Sequence, residues 1–293
     1  MTSNPSLEKT ANTEQEKWDI DIQPKHGLFD LHLDEVWKYR DLVRLFVRRD
    51  FVAAYKQTVF GHLWHFLNPL FTTFMFFLVF HRIAKISTDG LPPILFYMCG
   101  NICWGYFAKC FNSTSNTFVA NAGIFGKVYF PRLVAPLSNV ISSLISFSIQ
   151  MLMFLCFMAY YLWQGANVHP GWWILAVPIL LLIMATLGLG FGVIVSSLTT
   201  KYRDLTIFVG FGVTLLMYAT PVIYPISSLS PKLQSLMLLN PLAPIIEGFR
   251  FAFLGQGIFN LSMLGYSAGV SLVVFIVGII LFNKTEKNFM DTV

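Results

Sequence analysis

Three ionisable side chains lie inside otherwise apolar segments of this chain: Lys109, Glu247 and Arg250. A charge at that depth must find a partner, which makes each a candidate site. Glu247 and Arg250 are three residues apart, a spacing that lets them pair on one helical turn. A structural pair and a functional pair both fit that spacing. His62 and His65 repeat it at the start of an apolar run, without a carboxylate beside them, which suits interfacial histidines better than metal ligands. Cys99 and Cys103 are four apart with no histidine at ligand spacing; with Cys110 and Cys156 they read as small apolar packing residues. Gly188, Gly190 and Gly192 recur in GLGFG, where they suit close helix packing. No GxxxxGK[ST] motif occurs, so this chain has no P-loop of its own to cradle nucleotide phosphates. No Ser/His/Asp or HExxH arrangement occurs either. The chain is therefore expected not to be an enzyme and to hold no metal or cofactor. A proton- or sodium-coupled carrier would need ionisable relays within its spans, so the energy for any transport must come from elsewhere.

The elements that carry these residues are dictated by a bilayer. Leu133 to Thr200 runs 68 residues without Asp, Glu, Lys or Arg. A span needs roughly 20 apolar residues at about 1.5 Å each, so this run holds two spans and a turn. Trp163 to Trp173 is that turn, polar, with Gly and Pro, and flanked by Trp. Overall the chain is 55% hydrophobic and 12% charged, with mean hydropathy +0.62; soluble domains carry about 25% charged residues. The fold class is all-α and polytopic.

Further spans are expected at Leu63–Phe80, with Pro69 inside it, at Ile94–Asn112, at Leu205–Thr220 and at Met263–Phe282. Asp34 to Lys56 precedes them as an amphipathic helix. Tyr39, Leu42, Val43, Phe46, Val47 and Ala54 line one side and charged residues the other, which suits the headgroup layer. Asn112 to Arg132 loses periodicity and reads as a structured loop. Pro221 to Asn260 is apolar but broken by Pro and Gly, so short re-entrant or interfacial helices fit it. The expected organisation is a flexible cytoplasmic tail at 1–30, without a secretory signal, an interface helix at 31–58, a six-span domain at 59–283 with a broken segment at 221–260, and a cytoplasmic tail at 284–293. Fifteen Lys and Arg fall on the side of the termini and four on the other, so the positive-inside rule places both termini in the cytoplasm.

YRDLVRLFVRRDFVAAYKQTVFGHLWHFLNPL (39–70), KVYFPRL (127–133), KYRDL (201–205), TPVIYP (220–225) and LNPLAPIIEGFR (239–250) together resemble the ABC-type (ABC-2) polysaccharide export permeases that serve O-antigen, capsule and teichoic-acid export. The resemblance covers about residues 20–285. Two departures stand out: Ala54 where the family usually has Arg before Tyr-Lys-Gln-Thr, and His81 in place of a usual Gly before Arg82. The resemblance implies a homodimer of six-span subunits in the bacterial inner membrane, with two separate nucleotide-binding ATPase subunits carrying ATP and Mg. The cargo it implies is an undecaprenyl-diphosphate-linked glycan, O-antigen in first place.

On that basis Arg44, Arg48, Arg49 and Lys56 are expected to attract the lipid diphosphate, since Arg matches phosphate oxygens in a fork. Asn121, Gly123, Gly126, Lys127 and Arg132 are expected to dock into the ATPase, the glycines permitting tight turns, with Tyr202, Arg203 and Asp204 as a second contact. Phe71, Phe74, Tyr218 and Tyr224 are candidates for the translocation path, although lipid-facing Phe accounts for such residues equally well. Pro225, Asn240, Glu247 and Arg250 belong to the segment expected to gate the outer end. Partners are then a second copy, the ATPase, the lipid-linked glycan and the membrane, with no nucleic acid. A small-lipid or drug exporter, or a non-transporting scaffold, are the readings left beside it.

Overall fold

A computed structural model describes residues 33–53, 59–125, 127–128, 130–199, 202 and 204–288. Among them every regular element is helical. α1 (Leu33–Lys38) and α2 (Arg40–Ala53) are separated by a turn at Tyr39. Val36, Val43 and Phe46 are buried, and they meet Phe118, Phe125, Phe130, Val134 and Phe282 in a small core of their own. The apolar face expected on this stretch is thus covered by the rest of the same chain, with α2 lying against α6.

α3 (Trp64–Phe76) continues without a break into a π-helical turn, Phe77–Ile83. The turn carries His81, whose ring stacks on Phe77 at 5.6 Å. α4 (Pro93–Ser115) starts on a proline, which has no N–H to leave unpaired there. It is the axis of the molecule, packed by α3, α6, α7 and α10. Cys99, Cys103 and Cys110 are buried on it, while Cys156 on α6 is exposed. α6 (Val134–Trp163) and α7 (Val177–Thr199, entered through a 3-10 turn at Trp172–Ala176) form the expected hairpin.

Glycine sets how closely α7 approaches its neighbours. A Cβ on Gly188 would lie 2.9 Å from Cys110 Cβ, and one on Gly192 would lie 2.5 Å from Thr114 Cβ, so this face touches α4. Gly190 turns the other way. Its Cβ would sit 2.8 Å from the Phe275 nitrogen of α11 (Leu261–Asn288). The three glycines are contact points for two different helices, which is the packing role expected of them.

α8 (Leu205–Tyr218) leads into α9 (Pro231–Leu238) and α10 (Leu242–Leu254), bent 101° apart. All of α10 except Phe251 is buried, Glu247 and Arg250 included. Its C-terminus closes on Gly255, in the left-handed region at φ 76°, where a Cβ would meet the His169 carbonyl at 2.5 Å. The free carbonyls there are taken up by the α6–α7 turn: His169 N–H donates to Leu254 O and Gly171 N–H to Ala252 O.

Among the described residues four helices are long and apolar enough to cross a membrane: Trp64–Ile83, Val134–Trp163, Trp172–Thr199 and Leu261–Thr285. The number is five if the bent α9–α10 pair counts as one. α4 has the length but is interrupted by Asn101, Lys109 and Asn112. α8, expected as a full span, is 14 residues, about 21 Å against a hydrocarbon core of about 30 Å.

The stretch 112–132 differs from its reading as a loop. α4 runs to Ser115 and α5 (Thr117–Phe125) follows at once. The polar residues that obscured the periodicity bond along the helix instead: Asn116 Nδ2 donates to Asn112 O at 3.3 Å and Asn121 Nδ2 to Thr117 O at 2.9 Å. Phe118 and Phe125, seven apart, supply the buried face.

Candidate functional site

Two charged centres flank α4 about 20 Å apart, thirteen residues from Phe96 to Lys109. At the first, the Arg250 guanidinium lies over the Phe96 ring, 3.8 Å from its centroid. Nη1 donates to Glu247 Oε1 at 2.8 Å and Nη2 to the Val222 carbonyl at 2.7 Å. Glu247 Oε2 accepts the Ile258 N–H at 3.1 Å. Gly100 makes room for this contact, since its Cβ would lie 2.7 Å from Val222 O. One buried pair therefore joins α10, the turn after α8 and the loop after α10.

The neighbouring groups are held as firmly. Asn240 Nδ2 donates to Ala219 O at 3.1 Å and Thr220 Oγ1 at 2.9 Å, and its Oδ1 accepts the Leu242 N–H at 3.0 Å. Tyr224 Oη donates to Tyr218 O at 3.0 Å. Ser227 Oγ donates to Asp89 Oδ2 and so ties this segment to the link between α3 and α4. Pro225 stands at the start of a 3-10 turn, Ile226–Ser228. All four residues expected in the outer segment fall in this one region.

The second centre is a cavity of about 220 Å³ between the end of α2, the start of α3, the last turns of α4 and the first turns of α6. Asp50, Phe51, His65, Lys109, Ser113, Asn139, Ser142, Ser143 and Ser146 line it. The Lys109 ammonium donates to Ser146 Oγ. The Phe51 ring stacks on His65 at 5.7 Å. Sequence reasoning singled out Lys109 and His65 but missed the polar wall. Its signal was present, because Asn139, Ser142, Ser143 and Ser146 recur at steps of three and four within a charge-free helix.

Of the residues expected to attract a diphosphate, Arg44 and Arg48 are exposed, and Arg44 pairs with Asp41 at 3.0 Å. Arg49 pairs with Asp50 at 2.8 Å and lies over the Phe46 ring. Among the coupling residues, Asn121 is buried against its own helix rather than presented outward. Gly123 is exposed within α5 and makes no turn, so the conformational argument for it fails: the chain is helical there. Lys127, Tyr202 and Asp204 are exposed, and the Arg132 guanidinium lies 5.8 Å from the Phe125 ring centroid. Phe71, Phe74 and Tyr218 are exposed, whereas Tyr224 is half-buried. Lys56, Gly126 and Arg203, with Ala54, lie outside the described residues.

An all-helical chain with several bilayer-length helices and no P-loop matches one family along most of its length: the ABC-2 type transporters, over residues 41–254. The chain belongs to that family. Its relatives include the O-antigen export system permease protein RfbA of Klebsiella pneumoniae, 29% identical over 252 residues, 86% of this chain and 94% of the relative. RfbA of Myxococcus xanthus is 28% identical over 262 residues, 88% and 98% respectively. More distant is the capsule polysaccharide export inner-membrane protein CtrC of Neisseria meningitidis, 20% identical over 261 residues, 88% and 97%. The family match takes in both charged centres.

Proposed function

We propose that the chain is the membrane permease subunit of an ABC exporter that carries lipid-linked polysaccharide, O-antigen in first place, across the inner membrane. The observation that carries this is near-full-length similarity to O-antigen export permeases at 27–29% identity. ATP and Mg bind a separate ATPase subunit, in keeping with a sequence that has no P-loop. Relatives named as capsule polysaccharide exporters, at 20–21% identity, keep capsular polysaccharide as a second cargo. A teichoic acid fits the same architecture.

In this reading α3, α4, α6, α7, α8 and α11 are six spans with both termini cytoplasmic, and α9–α10 form the outer gate. α8 spans together with the turn that follows it. The basic helix α2 lies in the headgroup layer with α1, which suits the exposed Trp37 of α1 and Leu45 of α2 beside Arg44 and Arg48. A second copy completes the path. Phe71 and Phe74 on α3 and Tyr218 on α8 leave aromatic faces uncovered in one chain, and aromatic faces suit passing sugars. Lys127, Arg132, Tyr202 and Asp204 form the contact with the ATPase.

Two experiments test this reading. Removal of the protein from its native cell should leave lipid-linked glycan in the inner membrane and none on the surface, and gentle affinity purification should bring down an ATPase subunit. Unchanged surface glycan would discard the cargo, and a lone homo-oligomer would favour a scaffold. Charge reversal at Lys127 and Arg132 together should abolish export while the protein still inserts; normal export would remove the docking assignment.

A further inference from the structure

We propose that the cavity around Lys109 is an anion site for a phosphate or diphosphate group, with Lys109 as its cation and the α6 hydroxyls as its polar wall. Lys109 reaches the cavity from the last turns of a largely buried helix, yet its only partner among the described residues is the Ser146 hydroxyl. A half-buried cation held by a neutral hydroxyl keeps two N–H donors for a ligand. Among the described residues the one carboxylate on the wall, Asp50, is already paired to Arg49, which leaves the Lys109 charge uncompensated among them. Ser142, Ser143 and Ser146 sit beside it, and Ser143 and Ser146 bond back to carbonyls of their own helix. A hydroxyl in that arrangement turns towards a charged acceptor with little rearrangement.

Size separates the possible ligands. The volume of about 220 Å³ is several times the roughly 30 Å³ of a water molecule but below the range of about 300–1,000 Å³ of drug-sized pockets. It admits a phosphate or diphosphate and not a run of sugars. The cavity also lies where α2, the helix with four arginines, meets the bundle. An anion first drawn to those arginines would find Lys109 next. That the diphosphate belongs to a lipid rests on the exporter reading above; the anion chemistry does not.

The test is equilibrium binding of radiolabelled undecaprenyl diphosphate and of inorganic pyrophosphate to the full chain in phosphatidylcholine nanodiscs. Wild type, Lys109→Gln, Lys109→Arg and Ser142→Ala/Ser146→Ala are compared, each first shown to be folded by its thermal transition. Lys109→Gln should weaken binding about tenfold or more, Lys109→Arg should keep most of it, and the serine pair should lose several-fold, as expected for charge-assisted hydrogen bonds. Pyrophosphate bound with the same dependence on Lys109 would show that free diphosphate suffices. Binding of the lipid alone with that dependence would identify the headgroup. Should Lys109→Gln fail to fold, the serine pair decides. Binding of both probes untouched by every variant would overturn the site, and would leave the exporter reading standing, since that depends on glycan export and not on this assay.

Discussion

Two arginine–carboxylate pairs flank α4, each with an N–O distance of 2.8 Å, and they do opposite work. Arg250 and Glu247 are 1% and 3% exposed; Arg49 and Asp50 are 43% and 27% exposed. At the buried pair the spare capacity is spent on backbone: Arg250 takes the Val222 carbonyl and Glu247 the Ile258 N–H. That end of the molecule is closed, and its charges act as a rivet between three segments. At the other end the exposed pair borders a cavity in which Lys109 has one hydroxyl for a partner among the described residues. The same ion-pair geometry therefore marks a structural site where it is buried and tied to the backbone of two further segments, and a binding site where it is wet and leaves a neighbouring cation unmatched.

The sharpest way to break this comparison is to remove one member of the buried pair. Arg250→Met leaves Glu247 charged without its partner and Val222 O without a donor, and should cost about 3–5 kcal/mol. Thermal unfolding in detergent would read it as a large fall in transition temperature. The double change Glu247→Leu/Arg250→Met should lose less than the single one, because no buried charge is then stranded. An additive double mutant would mean that the rivet description is wrong.

Next in size is Gly100→Ala. The new methyl would stand 2.7 Å from Val222 O and 3.1 Å from Arg250 Nη2, so it crowds the rivet while leaving both charged side chains in place. Overpacking of this kind costs about 1–3 kcal/mol, read by the same unfolding measurement. A stability equal to wild type would show that the closed end yields more easily than its bonding implies.

Lys109→Met should behave in the opposite way to Arg250→Met. Lys109 is half-exposed to the cavity and strands no buried carboxylate among the described residues, so stability should change by less than about 1 kcal/mol, while glycan export falls. Loss of stability as large as that of Arg250→Met would make Lys109 a second rivet and end the contrast.

Much of this was legible in the sequence. The charge-free run gave the α6–α7 hairpin, the spacing of Glu247 and Arg250 gave their pairing, and the prolines and glycines of 221–260 gave a broken segment that the structure bends by 101°. What could not be read has a common cause: polar side chains that satisfy the backbone of their own helix. Asn116, Asn121 and Thr117 made α5 look like a loop, and the serines of α6 looked like ordinary small residues of an apolar helix. A one-dimensional pattern shows that such residues are polar. It does not show that four helices bring them to the same cavity as Lys109.

The smallest expected effect sharpens the comparison most. Asp50→Asn breaks the exposed pair and removes the only carboxylate that the described residues place on the cavity wall. Exposed pairs are worth about 0–1 kcal/mol, so the thermal transition should barely move, in contrast to the buried pair at the same N–O distance. Diphosphate affinity should rise, since a negative charge leaves the wall and Arg49 is released beside it. The sign is opposite to that for Lys109→Gln and cannot come from general loosening of the bundle, which would weaken both. If Asp50→Asn instead weakens binding, the carboxylate is accepting hydrogen bonds from the ligand. The cavity would then favour a group that donates protons, such as a sugar hydroxyl, over one that carries only negative charge.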